Sequence, residues 1–351
     1  MLYTNIPGCF IEREYHLPQT LADVGGNSGN VVFWEAALKL MRDVAADICS
    51  LSMDSRPQAG DRCVLVLANS IQDAGSNYLR YLMDLVGDAP YMILSIGAQA
   101  TDLSSNNMTL GEVARSAVKN AVEHAQRVFL RGQHSLEVLQ HNKIKTGNCR
   151  VLGCPSITNI APQWNLRKMS RVPALSKDTR ICIALPNTHQ VNKFHLHWLR
   201  SLFLAAGQES KHVYFLVQDE FKNRCTPGAQ YVYFVDPHQL RNFMLTMEVC
   251  IGTRIHGAIA SIQAAVPTLC FPIDSRVREL CATMAVPALE VEDARQYVER
   301  HRLPSCLATL HTLIRHFYPN PDQMINHQEL SKCNTQIYHN ALCNFLGLGC
   351  R

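Results

Sequence analysis

Short apolar runs alternate with amphipathic stretches along the first part of the chain. Three of the runs have the length of strands that are buried on both faces, and they span residues 62–68, 91–96 and 127–131. Other stretches carry apolar residues at helical spacing, at residues 31–41, 110–125 and 135–140. This alternation of strands and helices predicts a doubly wound parallel sheet.

The pattern breaks over residues 158–177, where Pro162 and Pro173 interrupt a polar segment without a clear period. We interpret this segment as a linker between two domains, which suits a chain of 351 residues. The alternation then resumes, with strands predicted at 180–185, 213–218, 231–235, 249–252 and 268–273 and helices at 195–205, 237–247 and 257–265. We therefore predict two α/β domains, residues 1–165 and 166–326, followed by a helical tail at 327–351.

Composition and charge narrow the class of protein. With 47% hydrophobic and 18% charged residues, the chain can bury a large core, which excludes a disordered protein. The formal net charge of +4 is too small to indicate a nucleic-acid partner, but it fits an anionic small molecule in one basic pocket. No apolar run approaches the ~18 residues of a membrane span, and the N-terminus lacks a signal-peptide pattern. We expect a soluble protein of the cytoplasm.

The cysteines and histidines do not form the pattern of a metal site. The 14 cysteines are scattered through predicted strands and helices without a CxxC pair, so we expect reduced thiols in the core. His195 and His197 face apart on a predicted helix, and His339 with Cys343 has too few companions to complete a ligand set. We therefore expect no bound metal.

The segment from Gly252 to Gly257 follows a predicted strand and opens a helix, which is where ligands bind in parallel sheets. Arg254 and His256 are two residues apart, so in an extended turn both side chains can reach one ligand. Arginine offers a fork of donors that suits phosphate or carboxylate, and histidine moves protons near neutral pH. The helix start adds backbone N–H groups and partial positive charge. A capping turn with its arginine paired to an aspartate would produce the same pattern.

Three further groups of polar residues lie at predicted strand ends or helix starts. All of them suit a polar substrate, and each has a simpler explanation as a surface arginine, a capped turn or a solvated ion pair. The groups are Arg131 with Ser135, then Asn27, Ser28 and Asn30, and finally Asp274, Arg276 and Glu279.

Short motifs that carry these residues follow one another in an order that resembles the polysaccharide pyruvyl transferase family. The resemblance covers roughly residues 25–285, and Asn30 stands where many members of the family have Asp. The motifs are Asn27-Ser28-Gly29-Asn30, Gly97-Ala98-Gln99-Ala100, Leu130-Arg131-Gly132-Gln133-His134-Ser135, Leu152-Gly153-Cys154-Pro155-Ser156, Gly252-Thr253-Arg254-Ile255-His256-Gly257, and Asp274-Ser275-Arg276 with Arg278-Glu279-Leu280.

The resemblance implies a glycosyltransferase-B-like fold, in which two Rossmann-like domains face a cleft. It also implies phosphoenolpyruvate as the donor and a glycan, or a lipid-linked or nucleotide-linked sugar, as the acceptor. The enolpyruvyl unit would move onto two hydroxyls of one sugar, which forms a cyclic ketal and releases phosphate. The first domain would hold the acceptor and the second the donor phosphate, with phosphoenolpyruvate as co-substrate and no cofactor.

The resemblance further implies roles for individual residues. Arg254 would hold the donor phosphate or carboxylate, His256 would protonate the donor's methylene carbon, and Arg131 would face the donor. The other motif residues are expected to bind substrate, and they are Asn27, Ser28, Asn30, Gln99, Ser135, Thr253, Asp274, Arg276 and Glu279.

Two other functions are compatible with the same residues. A glycosyltransferase that uses a nucleotide sugar would bind the diphosphate with Arg254 and the helix end, while His256 oriented the acceptor. A binding homologue would keep the fold without the chemistry, and Asn30 is the feature that points to it, whereas Arg254, His256 and Arg131 point to an enzyme.

Overall fold

A computed structural model describes residues 1–11, 27–99, 108–159, 169, 172–186, 188–193, 196–218, 229–301, 303–318 and 321–348. The strands named here form two sheets, and every pairing within them is parallel. The predicted α/β fold with two parallel-sheet domains is therefore confirmed.

The first sheet contains six strands from the first half of the chain. They are β1 (Leu2–Thr4), β2 (Ile48–Ser50), β3 (Arg62–Val66), β4 (Tyr91–Ile96), β5 (Val128–Leu130) and β6 (Cys149–Val151). Their order across the sheet is β2-β1-β3-β4-β5-β6. All six residues of β4 are buried, because helices cover both faces of the sheet.

The second sheet contains five strands. They are β7 (Ile181–Ala184), β8 (Val213–Leu216), β9 (Gln230–Val232), β10 (Val249–Gly252) and β11 (Thr268–Cys270). Their order is β11-β10-β7-β8-β9, so the chain changes direction across the sheet between β7 and β10. Such a switch point opens a crevice beyond the carboxyl ends of the two strands, and ligands bind there in this class of sheet.

Helices connect the strands and cover the sheets. They are α1 (Gly8–Ile11), α2 (Asn30–Arg42), α3 (Ser76–Val86), α4 (Glu112–Glu123), α5 (Gln133–His141), α6 (Thr188–Lys193), α7 (His197–Glu209), α8 (Pro237–Leu245), α9 (Ile255–Gln263), α10 (Ser275–Thr283), α11 (Val291–His301), α12 (Cys306–Phe317) and α13 (Pro321–Leu346). Short 3-10 helices span Asp73–Gly75 and Pro155–Thr158. Within the described ranges, no helix is both long and apolar enough to cross a bilayer.

One apolar core is shared between the two domains. Val64 and Met92 of the first sheet belong to the same buried cluster as Cys182 and Cys250 of the second. Separate clusters fill the opposite face of each sheet. The inner faces therefore meet through packed side chains, and this packing sets the positions of the strand ends from which the candidate site is built.

The C-terminal helix α13 starts earlier in the chain than predicted and packs on both domains. It begins at Pro321, ahead of residue 327 where the predicted helical tail starts, and proline is favoured in the first turn because the N–H it lacks has no partner there. Asn334 Nδ2 donates to the carbonyl of Leu152 at 2.8 Å, and His327 Nδ1 lies 2.6 Å from the carbonyl of Met284. The predicted domain boundary at residue 165 lies outside the described residues and stays a prediction.

Candidate active site

The turn after β10 leaves the second sheet at its switch point. A Cβ atom on Gly252 would collide with the carbonyl of Ala184 at the end of β7, so glycine allows the two strand ends to approach. The backbone N–H of Thr253 donates to that same carbonyl at 3.0 Å. Arg254 then adopts an extended conformation, with φ −99° and ψ 108°, and α9 begins at the next residue. The predicted turn between strand and helix is thus present.

Arg254 and His256 leave this turn toward different neighbours. Arg254 Nε donates to the carbonyl of Leu185 at 3.5 Å, which places the guanidinium beside the end of β7. The ring of His256 lies 5.3 Å from the ring of Phe33, and its Nε2 lies 3.9 Å from Cys154 Sγ. Since Phe33 and Cys154 belong to the first domain, His256 sits at the contact between the domains.

Arg131 approaches the same place from the first domain. Its side chain is 1% exposed, Nε donates to Ser95 Oγ at 3.1 Å, and Nη1 donates to Asn69 Oδ1 at 3.0 Å. The guanidinium carbon lies 5.5 Å from the centre of the Phe33 ring. Phe33 therefore contacts both Arg131 and His256, and the structure brings these two predicted catalytic residues together around one aromatic ring.

Ser95 holds Arg131 through an irregularity in β4. Its φ of 62° is a left-handed conformation that a residue with a side chain rarely adopts, and the pairing of β4 with β5 shifts register between Ile93 and Ile96. Such a conformation costs about 1–3 kcal/mol and persists only where the surroundings impose it. The bulge directs the Ser95 hydroxyl to the guanidinium of Arg131, so this strain lies at the candidate site.

Several buried polar atoms at the site have no hydrogen-bond partner among the described residues. They are Arg131 Nη2, Arg276 Nε and Thr253 Oγ1. A second nitrogen of Arg276, Nη2, lies 3.3 Å from Asp274 Oδ2. Because a buried donor without a partner costs about 1–3 kcal/mol, these atoms suit an anionic ligand that would accept their hydrogens.

Burial and positive charge together keep His256 neutral. Burial is the largest cause that lowers its pKa well below the ordinary value of 6.5, and the charges of Arg131 and Arg276 lower it further. Burial likewise lowers the pKa of Arg131, and the charge of Arg276 acts in the same direction. Both causes disfavour the charged form of the imidazole, so negative charge brought close to the ring would raise its pKa.

Ser135 and Glu279, both expected to bind substrate, bind each other across the two domains. Glu279 accepts from the Ser135 backbone N–H at 3.0 Å and from its hydroxyl at 2.8 Å. Burial raises the pKa of Glu279 to about 7, and the hydrogen bonds from Ser135 act against this rise. A Cβ on Gly132 would lie only 2.6 Å from the carboxylate, so glycine is needed for the approach. This contact links α10 to the start of α5.

A second polar contact crosses the domains beside the first. Gln99 Nε2 donates to Asp274 Oδ2 at 3.2 Å. The other carboxylate oxygen of Asp274 accepts from the backbone N–H of Val277 at 2.9 Å, which caps the start of α10. Gln99, Asp274 and Arg276 therefore form a polar chain along the edge of the site, and their substrate contacts stay predictions.

The turn before α2 packs directly against His256. Asn27 Oδ1 accepts from the Gly29 N–H at 2.8 Å, and the Ser28 N–H donates to the carbonyl of Gln218, after β8, at 2.7 Å. A Cβ on Gly29 would lie 3.3 Å from His256 Cβ. Asn30 is the first residue of α2. The predicted glycine turn thus closes one side of the site and joins it to the second domain.

A protein-family model matches most of the chain. The model of the polysaccharide pyruvyl transferase family matches residues 27–275. This chain belongs to that family. The match runs from the turn before α2 to the first residue of α10, so it includes Arg131, Arg254 and His256 and ends just before Arg276. No curated protein matches the chain.

Three solved structures are similar to this family member. S. aureus TarM is 8% identical over 82% of this chain and 54% of TarM, with a TM-score of 0.46, so the chain spans about half the length of TarM. An uncharacterized Klebsiella pneumoniae protein is 14% identical over 86% of this chain and 89% of its own, with a TM-score of 0.44. Anabaena HepE, in complex with UDP and glucose, is 8% identical over 95% and 99%, with a TM-score of 0.44. These likenesses are remote.

Four residues that build the site of this family member were not predicted from the sequence. Phe33 carries only the signal of a core residue in an amphipathic helix, and Asn69 lies in a loop without a motif. Ser95 is a small polar residue inside an apolar strand, which was a detectable signal. Cys154 lies in one of the motifs that resemble the family, but the resemblance implies no role for it. The contacts of Phe33 and Cys154 with His256 depend on the packing of the two domains. Those of Asn69 and Ser95 with Arg131 depend on how β3, β4 and β5 lie side by side within the first domain.

Proposed function

We propose that this protein is a transferase that moves a pyruvyl group from phosphoenolpyruvate onto a sugar of a polysaccharide or glycan precursor. The observation that carries the proposal is the buried cationic site around His256. Arg131 and Arg276 contribute donors that lack partners among the described residues, and their charges face the imidazole. An anionic substrate that needs one proton fits this combination of groups.

Phosphoenolpyruvate carries about three negative charges, one on its carboxylate and two on its phosphate, and the site offers a matching set of donors. Arg131 and Arg276 supply buried guanidinium nitrogens. Arg254 lies at the start of α9, where backbone N–H groups add partial positive charge. We assign the donor phosphate to the Arg254 end of the site and the donor carboxylate to Arg131.

The chemistry requires one proton to reach the methylene carbon of the donor. The negative charge of the bound donor offsets Arg131 and Arg276, so it raises the pKa of His256 and allows the ring to carry that proton. Transfer to the methylene carbon makes a methyl group and leaves the neighbouring carbon electrophilic. One sugar hydroxyl adds there, the bond from that carbon to the phosphate oxygen breaks, and a second hydroxyl closes the ketal. The two hydroxyls lose two protons: one replaces the proton that His256 gave to the methylene carbon, and the other goes to the departing phosphate, which leaves as hydrogen phosphate.

The acceptor sugar would approach from the first domain. On that side of the site lie the turn at Asn27 and the residues Asn69 and Gln99, which follow β3 and β4. We place the reaction in the cytoplasm, where phosphoenolpyruvate is produced, and we assign no cofactor or metal to it.

Turnover tests the proposal directly. Incubation with phosphoenolpyruvate and a panel of glycans should release inorganic phosphate only when an acceptor is present, and the acceptor should gain one pyruvate ketal by mass spectrometry. His256→Gln should lower kcat by about a hundredfold or more while donor affinity changes little. Transfer from a nucleotide sugar, with no reaction of phosphoenolpyruvate, would show a glycosyltransferase, and binding without any turnover would show a non-catalytic homologue.

A further inference from the structure

The turn that carries Cys154 is fixed from three directions. The Gly153 N–H donates to the carbonyl of Leu130, at the end of β5, at 3.1 Å. The Cys154 N–H points to Met284 Sδ at 3.4 Å, just after α10. Tyr338 of α13 donates from its hydroxyl to the Gly153 carbonyl at 3.3 Å. The Cys154 thiol is thus held in place by both domains and by the C-terminal helix.

This thiol faces the imidazole of His256. The distance between Cys154 Sγ and His256 Nε2 is 3.9 Å, within reach of a hydrogen bond to sulfur, and Cys154 is completely buried. The charged groups that face the ring are Arg131 from the first domain and Arg276 from the second. The remaining neighbours that define the ring position are Phe33 and the glycine turn at Gly29.

We propose that Cys154 is a positioning residue, whose thiol holds His256 Nε2 and leaves Nδ1 as the ring nitrogen that exchanges a proton with the donor. The inference rests on the proposed function for its catalytic meaning, but the Cys154–His256 contact exists independently of it. In a neutral imidazole, the hydrogen bond made by one nitrogen decides which nitrogen carries the proton. A sulfur that accepts from the Nε2–H of the ring fixes the ring orientation and favours the tautomer with its proton on Nε2, so Nδ1 is the nitrogen that gains and gives up a proton.

A thiol suits this position better than a carboxylate would. A carboxylate beside His256 would also lie in the field of Arg131 and Arg276, and its negative charge would compete with an anionic donor for their charges. A thiol is a weak donor and a weak acceptor, so it can pair with the ring without the full negative charge of a carboxylate. It can thus orient the ring and leave the positive charge of the site available to the substrate.

Nitrogen NMR of histidine-labelled protein tests the inference without turnover. The ¹⁵N signals of His256 are assigned by their loss in His256→Gln, and the shifts report which nitrogen carries the proton. We expect one dominant tautomer in the unaltered protein, a mixture in Cys154→Ala and recovery of the dominant form in Cys154→Ser. Cys63→Ala is the matched control, because Cys63 is equally buried but lies near the start of β3, away from the carboxyl ends.

Kinetics then connects the contact to the reaction. In Cys154→Ala, we expect kcat to fall about three- to tenfold and its pH profile to shift, with unchanged affinity for phosphoenolpyruvate and partial recovery in Cys154→Ser. Unchanged His256 signals and an unchanged pH profile in Cys154→Ala would overturn the inference. If phosphoenolpyruvate is not the donor, the unaltered protein shows no transfer, while its NMR signals still support or refute the contact. If Cys154→Ala fails to fold, the unaltered protein and Cys154→Ser must both show one dominant His256 tautomer, and a mixture of tautomers in the unaltered protein overturns the inference.

Discussion

Replacing Arg131 with Met separates the two roles that the structure gives this side chain. Methionine keeps an unbranched stem in the buried space beside Phe33 but removes the guanidinium. In the unaltered protein, Nε and Nη1 of Arg131 contact Ser95 and Asn69, whereas Nη2 has no partner in the described part of the chain. The variant therefore removes two internal hydrogen bonds and one donor that is available to substrate.

The expected magnitudes differ for binding and for stability. Loss of one charge-assisted hydrogen bond should weaken binding of phosphoenolpyruvate by about 1.5–3 kcal/mol, or roughly ten- to a hundredfold in Kd. Stability should change much less, because removal of a buried charge offsets the hydrogen bonds lost by Ser95 and Asn69. We therefore expect Arg131→Met to remain folded but to bind phosphoenolpyruvate weakly.

Isothermal titration and chemical denaturation measure the two quantities on the same sample. Arg295→Met is the control, because Arg295 forms exposed ion pairs with Glu292 and Glu299 on α11 and should leave Kd unchanged. A Kd for phosphoenolpyruvate that stays within a factor of about two in Arg131→Met would refute the reasoning, since that change is below one hydrogen bond.

Three other predictions address protonation and backbone geometry. Binding of phosphoenolpyruvate should be accompanied by uptake of a proton at His256, so the affinity for it should fall as pH rises through the pKa of His256 in the complex. Equal apparent binding heats in buffers of different ionisation enthalpy would contradict this. The pKa of Glu279 is raised from 4.5 to about 7 in the folded protein, so the free energy of unfolding should fall as pH rises across that window. Glu279→Gln should remove this dependence on pH when the free energy of unfolding is measured by denaturation at several pH values. If the free energy of unfolding of Glu279→Gln depends on pH as that of the unaltered protein does, Glu279 does not titrate in this window. Gly252→Ala should lower the free energy of unfolding by about 1–3 kcal/mol because its Cβ would meet the Ala184 carbonyl, whereas Gly147→Ala, with open space around it, should not; equal denaturation midpoints would refute this.

The buried strands were predictable because their pattern is local. Strands β4 and β10 begin and end where the apolar runs at 91–96 and 249–252 predicted, since a parallel strand covered on both faces needs continuous apolar residues. The three-residue strands β1 and β2 were not predicted. The equally short β5 and β11 were predicted because each lies in a longer apolar run, at 127–131 and 268–273. The early start of α13 was missed because its first turn is polar.

The candidate site was predictable only as far as each residue's place on its own element. Because Arg131 and Arg254 follow strands, the sequence places each of them at the carboxyl edge of its sheet. The order of the motifs assigns them to one site with His256. The sequence holds no signal that Glu279 of one domain binds Ser135 of the other, or that Cys154 faces His256, because these partners are chosen by the packing of two domains. Long-range polar contacts therefore had to come from the structure.

Calorimetric titration with phosphoenolpyruvate, beside an identical titration with uridine diphosphate, tests the central claim most directly. We predict saturable binding of phosphoenolpyruvate that is lost or strongly weakened in Arg254→Ala, and no binding of the nucleotide. Binding of uridine diphosphate without binding of phosphoenolpyruvate would contradict the account and identify the basic site as a diphosphate site of a glycosyltransferase.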